Sequence, residues 1–401
     1  MELIGFILWV LSCIALAFVI WNIRAWPAVQ LPPKIPPETP DAAGDSPSVS
    51  ILIPCRDEEH NLPFLLESLH SQGSRVREIL ILDDESSDGT AGVIRRYGLM
   101  DRRIRLLSGR ERPEGWFGKT WACHQLSEEA SGDWLLFLDA DVRLQRGAVD
   151  AMLAEAQSRE LGFLSCWPHF ETVSAAEQLA IPLLNFATFT SFPMGAMHRS
   201  MHPGMVVASG ACLLMEAAAY KRVDGHRACA GGLLEDHALA RAFRECGERS
   251  LTLDGSRLLS VRMYRDIHEV ANGFRKNLYK VLRNGPCFWA FFILQLGLFS
   301  LPLYVAACQQ LAGQPQLHML MCAANVLMIR LLLAAAYRTP VWSALMHGLA
   351  MPGMLWVAIL SFHSIALGGG VQWKGRTYFA ETGPQHVTLR RLQALFSRGN
   401  A

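Results

Sequence analysis

The sequence predicts an α/β domain, a mostly parallel sheet with helices on both faces, flanked by transmembrane helices. Three observations carry this. Four short apolar runs alternate with helical stripes through the middle of the chain. Acidic clusters follow three of the strand candidates. Stretches almost free of charge lie at both ends.

Leu3 to Ile23 contains no charged residue, and a helix needs about 20 such residues to cross a bilayer core. A cleaved leader is disfavoured, because Met1-Glu2 supplies no basic n-region and the apolar run is long. Residues 1–23 therefore read as an anchor. Glu2 before the span, with Arg24 and Lys34 after it, places the following domain in the cytoplasm. Residues 24–47, rich in proline and small residues, read as an extended linker.

Val49–Pro54 (VSILIP) reads as a buried strand. Leu62, Leu65, Leu66 and Leu69 make a helical stripe. Glu78–Leu82 (EILIL) is a second strand, followed by DDESSDGT at 83–90 and a helix around Ala91–Tyr97. Ile104–Leu107 and Trp134–Leu138 (WLLFL) are the third and fourth strands. A loop holding Gly118-Lys119 precedes a helical stretch at Thr120–Glu129. Glu235-Asp236 opens a helix at His237–Arg244. Residues 48–264 form the unit these elements build.

Residues 265–285 carry Ile267, Val270, Ala271, Phe274, Leu278, Val281 and Leu282 at helical spacing. Arg275, Lys276, Lys280 and Arg283 lie on other faces. An interfacial basic helix fits, and so does a core-packed helix with a solvated face. Ala175–Met197 is apolar enough for a membrane-touching segment, an acceptor-pocket wall or an ordinary buried helix. From Pro286 to Trp373 the only charged residues are Arg330 and Arg338. About three apolar segments fit in 286–372, near Phe288–Cys308, Leu317–Tyr337 and Val341–Leu367. The tail, 373–401, is basic and belongs in the cytoplasm, yet three crossings would put it outside. One segment is therefore re-entrant or interfacial, and Met351-Pro352-Gly353 is the weakest point for a straight helix.

Composition narrows the function. Of 401 residues 51% are hydrophobic and only 18% charged, against about 25% charged in an average soluble domain. A net charge of +1 excludes bulk electrostatic binding of nucleic acid. The ten cysteines never form C-x-x-C, so a zinc ribbon or thioredoxin-type motif is not expected.

In open α/β sheets ligands sit beyond the carboxyl ends of the strands. The polar clusters fall there: Pro54, Arg56 and Glu58 after the first strand, Asp83 and Asp84 after the second, Asp139-Ala140-Asp141 after the fourth. Asp139 and Asp141, two apart at a strand end, face one way and suit a hard divalent cation that neutralises a leaving diphosphate. Alone, the same tripeptide is a turn with two solvated aspartates. Asp83 and Asp84 suit a base or ribose, or serve only as neighbours of the capping residues Ser86, Ser87 and Asp88. Lys119 beside a helix start suits a diphosphate, or is an ordinary surface lysine. Glu235-Asp236 is a candidate base for transfer to an oxygen nucleophile, or a capping pair.

The ordered series VSILIP-x-RDEE, DDESSDGT, GWFGKTWACHQL, FLDADV and GGLLEDHALA resembles the large inverting glycosyltransferase family 2, over about Ser48 to Arg283. The GWFGK segment, the flanking spans and Trp373-Lys374-Gly375-Arg376-Thr377-Tyr378 resemble its lipid-modifying membrane members, of the carotenoid-acid, hopanoid-associated and, more distantly, ceramide types. The resemblance implies the GT-A fold, a nucleotide-diphosphate sugar donor (a uridine one) and Mg²⁺ or Mn²⁺. It implies nucleoside contacts from Glu58 and one of Asp83 and Asp84. Asp141 would be the main metal ligand, with Asp139 nearer sugar and ribose. Asp236 would be the general base, with Glu235 beside it. Arg283 stands in for a diphosphate-binding cation, because the arginine-tryptophan motif of processive enzymes is absent. Asp57 replaces the family's common asparagine.

The expected protein is thus a multi-pass enzyme of the cell (inner) membrane with a cytoplasmic catalytic domain. It would transfer sugar to a membrane lipid without a nucleic-acid partner. A processive polysaccharide synthase, a nucleotidyltransferase and a non-catalytic membrane scaffold are the alternatives; the sequence does not address oligomeric state.

Overall fold

The computed structural model describes residues 2–31, 47–231, 234–282, 284–366, 371–374 and 376–378. Most of the expected linker, Arg283 and nearly all of the basic tail lie outside the described residues.

After a first helix, α1 (Glu2–Ala25), the α/β domain begins with β1 (Val49–Cys55), α2 (Leu62–His70), β2 (Val76–Asp83), α3 (Thr90–Met100) and β3 (Ile104–Ser108). Next come α4 (Gly118–Glu129), β4 (Trp134–Leu138), β5 (Val142–Leu144), α5 (Ala148–Ser158), β6 (Phe163–Trp167) and β7 (His169–Phe170). An apolar insert follows, α6 (Ala175–Ala180), α7 (Pro182–Ser191) and α8 (Met194–Met197). The domain closes with β8 (Cys212–Glu216), α9 (Ala217–Arg222), α10 (Glu235–Glu245), β9 (Ser250–Asp254) and β10 (Leu259–Val261).

Seven strands form one sheet in the order β3-β2-β1-β4-β8-β6-β9, and β5, β10 and β7 form a smaller one. β3, β2, β1 and β4 run parallel; β8 is antiparallel to both its neighbours. The strand runs lack alternation because both sheet faces are covered. Ile51, Ile53, Ile79, Ile81 and Leu136 enter the core on one face. Leu52, Leu80, Leu82, Leu135 and Phe137 enter the core on the other. No strand forms at Met205–Ala208; the strand that follows Gly210 and Ala211 is β8. Lys119 lies in the first turn of α4, since that helix starts at Gly118 and not at Thr120.

The C-terminal part is α11 (Ile267–Leu282), α12 (Gly285–Phe299), α13 (Leu301–Leu311), α14 (Leu317–Tyr337), α15 (Val341–Leu345) and α16 (His347–Ala366), then a hairpin, β11 (Val371–Trp373) and β12 (Arg376–Tyr378). Four segments are long and apolar enough to cross a membrane: Glu2–Ala25, Gly285–Leu311, Leu317–Tyr337 and His347–Ala366. α1 and α14 run side by side in one direction, with Phe6 against His318 and Asn325 Nδ2 donating to Ser12 Oγ at 2.9 Å. The third C-terminal segment is not one helix over Val341–Leu367. It breaks at Met346, while α16 continues through Pro352. Proline removes the N–H that would bond Gly348 four residues back, and the Tyr304 hydroxyl donates to that carbonyl instead.

The apolar insert joins the spans. Phe186 and Phe189 share a core with Val19, Phe299, Val326, Ile329 and Met351. Arg330, 3% exposed, donates to Pro182 O, Ser343 O and Ser343 Oγ, which ties α7, α14 and α15 together. Buried charges in such segments pair with carbonyls in this way.

At the amino end of the sheet, Glu78 is 8% exposed. Its Oε1 accepts from Ser50 Oγ, Ser131 N and Ser131 Oγ at 2.7–2.8 Å, and Arg105 lies 3.3 Å from Oε2. Burial works to raise its pKa, but those donors outweigh it and hold the carboxyl below the usual range. Glu78→Ala, which orphans the buried donors, is expected to cost about 1–3 kcal/mol. A folded-state pKa below the unfolded one means this contribution is present above the ordinary carboxylate pKa and is lost as pH falls through the lowered value. Thermal unfolding of both proteins across acidic pH checks it; a wild-type advantage unchanged down to the most acid pH would contradict it.

Candidate active site

The site forms where β1, β2 and β4 end. Cys55 of β1 lies in register with Asp83 of β2, and the two loops beyond latch onto each other. Asp57 and Glu85 both have left-handed backbone, with φ of 52° and 57°. Non-glycine residues pay for that conformation, so partners must fix it. The Asp57 N–H donates to Ser86 Oγ at 2.9 Å, and its carboxylate accepts from Ser87 N at 2.7 Å. The Glu58 N–H donates to Thr90 Oγ1 at 2.8 Å. Arg56 donates to Asp84 O at 2.6 Å. Asp84 is buried, and Asp83 accepts from Ser86 N at 3.1 Å.

Asp139 and Asp141 follow β4. The Asp139 N–H bonds Ala211 O at 3.1 Å, so the loop preceding β8 fixes the turn. Lys119 Nζ stands 2.7 Å from Asp139 Oδ1 and 2.8 Å from Glu235 Oε1. A lysine from α4 thereby joins the acidic strand end to the start of α10. Gly210 lines the same spot: a Cβ there would lie 3.4 Å from Asp236 Oδ2, from Glu235 Oε1 and from Lys119 Nζ. Asp139, Lys119, Glu235 and Asp236 are thus one cluster, assembled from residues nearly 120 positions apart.

The electrostatics differ among its members. Burial pushes the Asp141 carboxyl up to about 8, helped by the charges of Asp139 and Glu58 and opposed by Lys119. Its Oδ1 is buried with no hydrogen-bond partner among the described residues. Burial also works to raise Asp236, but His237, whose N–H and Nδ1 lie 2.8 and 3.1 Å from Asp236 Oδ1, and Lys119 outweigh it and hold the carboxyl below its ordinary value. His237 moves the other way: burial lowers it, the Asp236 charge overrides, and its pKa rises. Lys119 is raised because Asp139 and Glu235 outweigh its desolvation.

An orphaned, buried carboxyl oxygen beside a second carboxylate suits a divalent cation. No group of three or more His, Cys, Asp or Glu side chains placed to hold a metal occurs among the described residues. A cation held there would need further oxygens from a ligand to complete its shell, as is usual where Mg²⁺ meets phosphate.

Sequence reasoning missed two cations. Lys374, in the turn of the β11–β12 hairpin, donates to Arg56 O at 2.5 Å and pairs with Glu58, while Arg56 Nε donates to Lys374 O at 3.1 Å. Lys276 of α11 feels the charges of the site. Burial lowers its pKa to about 8, against the pull of Glu235 and Asp139. The Trp373–Tyr378 motif and the basic helix were visible in sequence, but nothing local tied them to Glu58 or Asp139. Pro54 sits near the end of β1.

A seven-stranded sheet with its acidic strand ends gathered into one cluster is a nucleotide-diphospho-sugar transferase domain of the GT-A type. Residues 50–224 match the family described as glycosyl transferase family 2, and this segment is a family 2 glycosyltransferase domain. A 4,4'-diaponeurosporenoate glycosyltransferase of Staphylococcus haemolyticus is 29% identical over 234 residues, 58% of this chain and 61% of that protein. The Staphylococcus aureus protein of the same name is 27% identical over 241 residues, 58% and 60% of the two chains. The chain therefore spans about three fifths of these curated relatives. A mannosyltransferase from Pyrobaculum calidifontis, solved with GDP-Man and Mn²⁺, shares the fold at a TM-score of 0.51 and 19% identity, covering 90% of this chain and 98% of its own.

Lys119→Met leaves Asp139 and Glu235 facing each other without a cation, and is expected to destabilise the fold by about 1–3 kcal/mol near neutral pH, allowing for the partial exposure of the cluster. The cost is read as a drop in melting temperature, larger for Lys119→Met than for Lys119→Arg, which keeps the charge. An equal drop in both variants would show that the lysine acts by packing alone.

Proposed function

We propose that the chain is a membrane-anchored, inverting glycosyltransferase that moves a sugar from a nucleotide diphosphate, a uridine one, to a hydroxyl or carboxyl of a membrane lipid. One observation carries the reading: Lys119 joins Asp139 to Glu235, and so places Asp236 in the same cluster as the acidic pair after β4.

In this reading Glu58, with Asp83 or Asp84, receives the nucleoside. Lys119 and Lys276 meet the diphosphate, and Lys374 stands at the nucleoside end through Glu58. Asp141, with Asp139, would hold Mg²⁺ or Mn²⁺. That ion, when bound, supplies the charge that stabilises the departing nucleoside diphosphate. Asp236 accepts the proton of the acceptor oxygen as that oxygen bonds to C1 and the C1–O bond to the diphosphate breaks on the opposite face. Its lowered pKa keeps it ionised near neutrality, and His237, whose pKa the Asp236 charge raises, holds its orientation through contacts to Oδ1. Arg56, bonded to Asp84 O and Lys374 O, holds the loops rather than the donor.

The membrane reading rests on the four apolar segments and on the core that the α6–α8 insert shares with them. α14 ends where Arg338 meets His169 of the domain, and by Lys374 the chain is back on Glu58 of the domain. In this reading α15 and α16 dip into the bilayer and return. The inner membrane, with the domain in the cytoplasm, is the location that fits the charge pattern.

Asp236→Asn is expected to lower kcat about 10²–10⁴-fold while nucleoside diphosphate still binds. Transfer to extracted membrane lipid and calorimetric binding of UDP read the two effects separately. Retained kcat would remove Asp236 as the base. Transfer by wild type that persists fully in excess chelator would remove the metal.

A further inference from the structure

A second polar cavity, of about 390 Å³, lies away from the acidic cluster and shares no residue with it. Its walls include Arg257, Arg338, His169, Glu171, Ser256 and Ser260. Glu171 is already neutralised: Arg143 pairs with one oxygen at 2.8 Å and Ser260 Oγ donates to the other at 2.5 Å. Neither the Arg257 nor the Arg338 guanidinium has a hydrogen bond or ion pair among the described residues, and both residues are exposed; the Arg338 backbone N–H bonds Ala334 O at the end of α14. The cavity therefore presents two guanidinium groups and two hydroxyls with no opposing free anion.

Its position sets the kind of anion. Arg338 caps α14 in a left-handed turn, φ 53°, directly after a candidate span. The opposite wall is held by the segment leaving α1. Val29 N bonds Asp254 O at 2.9 Å, Trp26 Nε1 bonds Thr252 O at 2.8 Å, and Asp254 in turn caps the Ser256 turn at 2.9 Å. Two candidate spans thus end at this cavity, which puts it at headgroup depth on the domain side. Basic pockets at that depth recognise anionic headgroups. Guanidinium forks match phosphate oxygens, and hydroxyls complete the set.

We propose that this cavity binds the phosphate headgroup of an anionic phospholipid, seating the domain against the membrane independently of the catalytic cluster. A soluble phosphate has the same chemistry, and the test separates the two. The full-length protein is taken from mixed phosphatidylcholine and phosphatidylglycerol nanodiscs, and native mass spectrometry counts the lipid retained. Wild type should keep phosphatidylglycerol in preference to phosphatidylcholine, with millimolar inorganic phosphate failing to displace it. Arg257→Gln with Arg338→Gln should lower that preference about tenfold or more, and the lysine pair should restore part of it. If the double variant is unstable, Arg257→Gln alone, at an exposed position in no hydrogen bond, serves in its place. Unchanged preference in the variants overturns the proposal. So does displacement of the lipid by inorganic phosphate, which would assign the site to a soluble anion. Neither outcome depends on whether the chain transfers sugar.

Discussion

The Lys119 bridge to Asp139 and Glu235 is the interaction on which the rest of the site depends. Five carboxylates, Glu58, Asp139, Asp141, Glu235 and Asp236, are drawn together where strands end. Without cations among them their mutual repulsion in a partly buried place would destabilise the fold. The structure meets this with one cation from each of three elements: Lys119 from α4, Lys276 from α11 and Lys374 from the terminal hairpin. The same positive charges are what a diphosphate needs. Charge balance in the free protein and recognition of the ligand are one arrangement.

Asp141 is the member left unbalanced. Its carboxyl is raised to about 8 and one oxygen has no partner, so in this state it favours the proton. A hard cation placed there would displace that proton and satisfy the oxygen. Asp236 takes the opposite course, kept ionised by His237 and Lys119. Two carboxylates of the domain are thus shifted in opposite directions by their neighbours, the usual route by which like groups are assigned different tasks.

Much of this was legible in the residues, and for definite reasons. The fully apolar runs VSILIP, EILIL and WLLFL announce strands covered on both faces, and acidic residues directly after them mark the ligand edge of an open sheet. The later strands were not legible: β6, β8 and β9 lie in stretches whose apolar content also suits helices, and the antiparallel placement of β8 leaves no periodic trace. That α16 runs on through Pro352 goes with Tyr304 capturing the freed Gly348 carbonyl from another helix. The pairing of Lys374 with Glu58 joins positions 316 residues apart, and no local pattern encodes it.

The central claim is that the acidic strand end and the Glu235-Asp236 turn form one cation-dependent donor site. Anomalous scattering from Mn²⁺ in crystals grown with UDP tests it most directly. The account predicts a Mn²⁺ peak at ligand distance from the Asp141 carboxylate, with the diphosphate between that ion and Lys119. Ordered UDP elsewhere on the domain, or at this place with no Mn²⁺ on Asp141, would contradict it.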